Sequence, residues 1–192
     1  RVTIETGAGV LVARRSAAGV TVDMGPARLA PADIPLAVRD ADTRAVPIDL
    51  AGISSGLPAV FSAVSMGNPH AIFFVADVDA HDLERVGPML ETHPMFPERA
   101  NISLVAVAGR DHLIQRVWER GAGLTLACGS GACAAGVAAH RAGLTGRTVT
   151  VTLPGGDLSI CWRQDGHVEM SGGTATAFAG RLDSSLLADA DG

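Results

Sequence analysis

Apolar and polar residues alternate with the period of a β-strand from the start of the chain. Val2-Thr3-Ile4-Glu5 alternates, Gly7 and Gly9 punctuate, and Val10-Leu11-Val12-Ala13 continues. After a turn at Ser16–Gly19, Val20-Thr21-Val22-Asp23-Met24 alternates again. Side chains of a strand point alternately to its two faces, so the pattern predicts strands with one face buried. Pro26, Pro31 and Pro35 mark an extended connection, because proline disfavours helix in the residue before it. A short strand is expected at Pro47–Leu50. The apolar runs Val60–Ser65 and Ala71–Val75 flank Met66-Gly67-Asn68-Pro69-His70 and predict two strands joined by a tight loop. The period changes at Asp77–Thr92. There Leu83, Val86, Met89 and Leu90 recur at helical spacing, Asp79 can cap the start, and Pro94 and Pro97 end the helix. Ile102–Ala108 and Leu113–Trp118 read as strands around a turn at Gly109–His112. Gly131–Ala142 is a helix of small residues ended by Gly143. Val149–Leu153, Leu158–Trp162, Val168–Met170 and Thr174–Leu182 complete a run of strands with Gly-rich turns. The fold class is α+β, with many strands, mostly antiparallel, and two helices.

Composition narrows the classes of function. With 192 residues and 47% hydrophobic side chains the chain can bury a real core. Only 4% of residues are aromatic, so that core rests on Ala, Val, Leu and Ile. A net charge of −5 without any basic run argues against nucleic acid or an anionic membrane surface as partner. Apolar runs such as Ala71–Ala76 are far too short to span a bilayer. Lys is absent and Asn occurs only at Asn68 and Asn101, a bias that singles out those two positions. Three cysteines at irregular spacing, Cys128, Cys133 and Cys161, do not make a disulfide framework and indicate a reducing, cytoplasmic compartment. The chain opens at Arg1 in mid-strand and without Met, which reads as a fragment or a processed chain.

Candidate chemistry concentrates between Trp118 and Cys133. Glu119 and Arg120 end a strand, a Gly-rich loop follows, and Cys128 falls just before a helix starting near Gly129 or Ser130. A thiol there meets the positive end of the helix dipole, which favours thiolate. The first amides of the helix, from Gly129, Ser130 and Gly131, lack intrahelical partners and can hold a carboxylate. The competing reading makes Cys128 a small buried hydrophobe, as most free cysteines are. Cys133 and Cys161 read as core packing. Asn68 and His70 are fixed at the edge of a Pro-bearing turn, where they serve either a site or the turn alone. His81, His93, His112, His140 and His167 read as surface residues. Cys128 and Cys133 offer a Cys-x4-Cys pair to a metal, but no His or second Cys pair falls at ligand spacing, and no complete dinucleotide fingerprint is present.

These segments resemble the diaminopimelate epimerase family. The matching stretches are Ser65-Met66-Gly67-Asn68-Pro69-His70, Phe96-Pro97-Glu98-Arg99-Ala100-Asn101, Glu119-Arg120-Gly121-Ala122-Gly123 and Ala127-Cys128-Gly129-Ser130-Gly131-Ala132-Cys133. Leu153-Pro154-Gly155-Gly156 and Val22-Asp23-Met24-Gly25 also fit, in the family's order. The resemblance implies two pseudo-symmetric lobes, each a mixed, mostly antiparallel sheet around a central helix, with one catalytic Cys per lobe acting on opposite faces of an α-carbon. It implies an isomerase without cofactor or metal, diaminopimelate as substrate, lysine and peptidoglycan biosynthesis as context, and a homodimer when full length. Carried over, Cys128, Glu119 and His70 are catalytic. Asn68, Asn101, Glu119, Arg120, Gly129 and Ser130 bind substrate, the last two by their amides. The family's other Cys lies in a Cys-Gly-Asn-Gly motif that is absent here, and Leu124 stands where the family often has Glu. The implied organisation is 1–19 as terminal strands of the first lobe, 20–173 as the second lobe, 174–183 as a strand returning to the first lobe, and 184–192 as a tail. The alternatives are a proline racemase or PhzF-like isomerase of the same superfold, a non-catalytic binding lobe, and a Cys hydrolase requiring His70 against Cys128.

Overall fold

The computed structural model describes residues 1–6, 9–16, 19–53, 56–181 and 183. The alternating N-terminal segments form β1 (Val2–Thr6), β2 (Gly9–Ser16) and β3 (Gly19–Pro26), paired antiparallel as successive hairpins. The expected strand at Pro47–Leu50 is instead the two-residue β4 (Val46–Pro47), held by β5 (Val60–Ser65). The tight loop is confirmed. β5 returns as β6 (Pro69–Phe74), antiparallel, with Ser65 opposite Pro69, so Pro69 and His70 already belong to the strand.

Helix α1 (Leu83–Glu91) is shorter than the expected Asp77–Thr92. Its cap is Asp82, whose carboxylate accepts from the Arg85 amide at 3.1 Å, rather than Asp79. Asp77 turns back on the Asp79 amide, and the Asp79 side chain pairs with Arg116 at 3.1 Å, so the acidic residues before Asp82 are spent on turns and an ion pair. Leu83, Val86 and Leu90 are buried, whereas Met89 faces outward.

β7 (Asn101–Gly109) and β8 (His112–Glu119) form the expected hairpin, and β9 (Gly123–Thr125) folds back on β8. The sequence predicts a Gly-rich loop at β9. Gly121 and Gly123, both at positive φ, allow the reversal that pairs it. Helix α2 (Gly129–Arg141) is followed by β10 (Thr148–Leu153), β11 (Gly156–Trp162) and β12 (His167–Gly172). Residues 174–181 form no strand, contrary to the strand expected at Thr174–Leu182. They pair with no neighbour among the described residues, and Phe178 is 86% exposed. Residue 182 and the tail 184–192 lie outside the described residues.

The strands form one twelve-stranded sheet in the order β1-β2-β3-β12-β11-β10-β8-β7-β6-β5-β4, with β9 appended to β8. Among the described residues only the β6/β7 and β8/β10 pairs are parallel, which bears out the mixed, mostly antiparallel α+β class. The sheet curves around α2, which touches β5 to β8 and β10 to β12. A helix in that position must be apolar on every side, and residues 131–139 are all buried. Small side chains permit close approach: a Cβ on Gly136 would sit 3.0 Å from Ile160. Gly143, at φ 73°, ends α2 as expected. A second core lies on the other face of β5 to β7, where Phe61, Phe73 and Phe96 meet Leu83, Val86 and Leu90 of α1. The 1–19 and 20–173 segments share this sheet, because β2 pairs with β3 and β3 with β12.

Candidate active site

Cys128 is the N-cap residue of α2, with extended backbone and no side-chain cap bond, and the residue is 4% exposed. The first turn of α2 carries no acidic side chain, so its leading amides are open to an external carboxylate. A Cβ on Gly129 would fall 2.9 Å from the Met170 sulfur, and one on Gly131 would meet the Cys128 sulfur at 3.2 Å. At both positions the absence of a side chain leaves the helix start closely packed against the Met170 and Cys128 side chains. The thiol differs from expectation. Burial pushes it up to about 11, against the opposing pull of the Ser130 hydroxyl and the Gly131 amide, and the Glu119 carboxylate raises it further. At neutral pH the resting side chain is a protonated thiol, because desolvation outweighs the helix terminus.

Three segments converge beside it. On the loop before β6, the Asn68 amide nitrogen donates to the Ser130 hydroxyl at 3.2 Å, and its carbonyl oxygen meets His70 Nε2 at 3.0 Å. The Ser130 hydroxyl lies 3.6 Å from Cys128 Sγ. A hydrogen-bonded chain thus runs from His70 through Asn68 and Ser130 to Cys128. His70 is fully buried, and burial, then the positive charge of Arg120, lowers its pKa to about 3. The neutral ring donates Nε2–H to the Asn68 oxygen, and its buried Nδ1 has no hydrogen-bond partner among the described residues.

The second segment is the end of β8. Glu119 accepts from the Thr125 hydroxyl of β9 at 2.6 Å. Arg120 is exposed, with one guanidinium nitrogen donating to the Glu98 carbonyl at 3.0 Å. The third is Asn101, buried at the start of β7. Its nitrogen donates to the Pro69 carbonyl and its oxygen accepts from the Arg120 amide, both at 2.9 Å. Asn101 therefore ties the Asn68–His70 loop to the Glu119–Arg120 turn. Every residue expected at the site, namely Asn68, His70, Asn101, Glu119, Arg120, Cys128, Gly129 and Ser130, lies in this connected group.

Sequence reading missed Glu91. It sits on the buried face of α1 and accepts from the Trp118 indole at 2.7 Å and the Gly121 amide at 3.1 Å. The available signal was an acidic residue on a helix face otherwise made of Leu83, Val86, Gly87 and Leu90. Cys133 is buried in α2, as expected, with its thiol pushed up to about 12 by burial and then by Cys128. Cys161 is only half-buried, on β11 beside the Thr148 hydroxyl. The histidines read as surface residues are partly buried, and four have hydrogen-bond partners, His93 meeting the Asp49 carbonyl at 2.9 Å and accepting from the Met95 amide at 3.1 Å. His167 meets Asp23 at 2.9 Å, His112 meets the Thr152 hydroxyl, and His140 meets the Thr145 carbonyl. Leu124 packs against the α1 core. No three His, Cys, Asp or Glu side chains among the described residues cluster as a metal site.

The diaminopimelate epimerase family model matches residues 62–178, which span all of these segments. The chain belongs to the diaminopimelate epimerase family. It is 54% identical over 189 residues to the diaminopimelate epimerase of Rhodopseudomonas palustris strain BisB5, covering 97% of this chain and 64% of that protein. It is 53% identical over 192 residues to the enzyme of the same name from Methylobacterium sp. strain 4-46, covering 99% of this chain and 66% of that one. The chain therefore spans about two thirds of the length of these relatives. Among solved structures, a probable proline racemase from Agrobacterium radiobacter K84 superposes with a TM-score of 0.58 at 14% identity, covering 95% of this chain and 60% of that one. That likeness is one of fold.

Proposed function

We propose that this chain is the Cys128-bearing lobe of a diaminopimelate epimerase, a cofactor-independent isomerase that interconverts L,L- and meso-diaminopimelate. The observation that carries the reading is a buried thiol at the start of α2, beside amides with no helical acceptor and joined to an Asn–His pair. An amino-acid α-proton is a very weak acid, and its removal needs charge stabilisation at the adjoining carboxylate in a site shielded from water. The amides of Gly129 and Ser130 supply that stabilisation by receiving the α-carboxylate. Cys128 exchanges a proton with the α-carbon on one face. Its resting thiol delivers the proton in one direction, and its thiolate, stabilised by the Ser130 hydroxyl and Gly131 amide, removes it in the other. The opposite face is served by a second Cys from a part of the protein beyond this chain.

Arg120 receives the distal carboxylate through its planar guanidinium, and Asn68, Asn101 and Glu119 complete the distal pocket. His70 and Glu119 assist the proton transfer around Cys128. A Cys hydrolase is disfavoured, because Asn68 and Ser130 stand between His70 and the thiol, and a histidine with a pKa near 3 is a weak base. The proposed assembly is a homodimer of full-length chains, and the proposed compartment is the cytoplasm, which three free thiols support. Offering the full-length gene product L,L-diaminopimelate and L-proline separately tests the substrate. Inversion of the first and not the second is expected, and the reverse preference would refute the reading.

A further inference from the structure

We infer that Glu91 is a positioning residue that sets the Glu119–Arg120 pair by clamping the residues on either side of it. The inference rests on the proposed role of Arg120 at the distal end of the substrate. Both carboxylate oxygens of Glu91 are engaged. One accepts from the Trp118 indole at 2.7 Å and the other from the Gly121 amide at 3.1 Å, so the two anchored residues bracket Glu119 and Arg120 directly. The clamp is built into α1. Gly87 lies one turn before Glu91, and a Cβ there would fall 2.5 Å from the Trp118 ring, so the helix backbone itself presses on the indole. Gly123 bounds the other side of that ring, where a Cβ would lie 3.5 Å away.

Glu91 also reaches the segment that holds Arg120 from the opposite side. The Arg99 guanidinium approaches Glu91 at 3.5 Å, and Arg99 is the one non-glycine residue at positive φ among those described, at 59°. The adjoining Glu98 carbonyl is the acceptor for the Arg120 guanidinium. A backbone held in that sparsely populated region persists only when its surroundings impose it. Glu91 thus links the turn that carries Arg120 to the turn that orients its side chain, without itself belonging to the Cys128 cluster. Only a carboxylate offers acceptors to both Trp118 and Gly121, since an amide at the same place turns an N–H toward one of them.

Two measurements test this on Glu91→Gln and Glu91→Ala. The first is amide hydrogen exchange on the 192-residue chain. Glu91→Gln should speed exchange at Arg120 and Gly121 at least tenfold while leaving residues 133–137 of α2 unchanged. Exchange at Arg120 and Gly121 equal to wild type would overturn the proposal, whatever reaction the protein performs. The second is steady-state epimerisation by the full-length protein. Glu91→Ala should raise KM for diaminopimelate roughly tenfold or more through the displaced Arg120, with a smaller fall in kcat from the displaced Glu119, and Glu91→Gln should recover part of both losses. A purely structural role would reduce the active fraction, lowering apparent kcat with KM unchanged, and that result would overturn the proposal. If Glu91→Ala does not fold, the KM of Glu91→Gln decides. If the wild-type protein does not act on diaminopimelate, the proposed function fails while the exchange result still judges Glu91.

Discussion

At the scale of single residues, Arg120 and His70 make the sharpest claims. A guanidinium binds a carboxylate through two parallel N–H bonds, and lysine lacks that fork. On the proposed function, Arg120→Lys in the full-length protein is expected to weaken diaminopimelate binding by about 1.5–3 kcal/mol, roughly one charged hydrogen bond, while leaving the fold intact, because the side chain is exposed. Calorimetric titration with L,L-diaminopimelate checks it, and unchanged affinity in a folded variant would remove Arg120 from the site. His70 makes a claim about pH. Its folded pKa, about 3, lies below the roughly 6.5 of an unfolded histidine, so the unfolded chain binds the proton more readily. The contribution of His70 to stability is complete above about pH 6.5 and is lost as pH falls toward 3, by roughly 1.4 kcal/mol per unit. Urea unfolding of the chain between pH 7 and 5 should show that slope, and His70→Asn should flatten it. A slope identical in both proteins would contradict the buried neutral ring. The residues of the site were legible because their motifs are dense and ordered, and because Asn is otherwise missing from the chain. The state of Cys128 was not legible. A helix start predicts a lowered thiol, and only three-dimensional packing reveals that burial wins.

At the scale of elements, the strands were read well, since alternation survives any tertiary arrangement in which one face is buried. The errors have local causes. The acidic run before α1 offered several caps, and only packing decides that Asp79 serves Arg116 while Asp82 caps the helix. β9 is three residues long and begins with Gly123, so its pairing with β8 has no periodic signature. The expected strand at Thr174–Leu182 alternates in sequence but has no partner among the described residues, and a strand is defined by its neighbour. The contact between α1 and Trp118 gives a test of how tightly these elements are fitted. Gly87→Ala places a methyl group against the indole at 2.5 Å, too close for any relaxed contact. It should cost about 1–3 kcal/mol in urea unfolding and disturb the β8–β9 turn. A stability equal to wild type would mean that α1 slides freely on β8.

At the scale of the whole molecule, one curved sheet holds α2 at its centre and presents the start of that helix with Cys128, Asn68 and Arg120 around it. Two-sided proton transfer at one carbon needs a group on each face, and this chain contributes one candidate, Cys128. The 192-residue chain assayed alone is accordingly expected not to invert L,L-diaminopimelate, whereas turnover near that of a complete epimerase would show that one lobe suffices. Val2, Ile4 and Val10 on β1 and β2 are exposed apolar residues. The central claim is that Cys128 exchanges the α-proton. It is tested most directly by following inversion and deuterium uptake at the α-carbon of L,L-diaminopimelate, in deuterated water, with the full-length protein and its single Cys→Ala variants. Cys128→Ala should abolish inversion, while Cys133→Ala and Cys161→Ala retain substantial turnover. Near-normal inversion by Cys128→Ala would contradict the account.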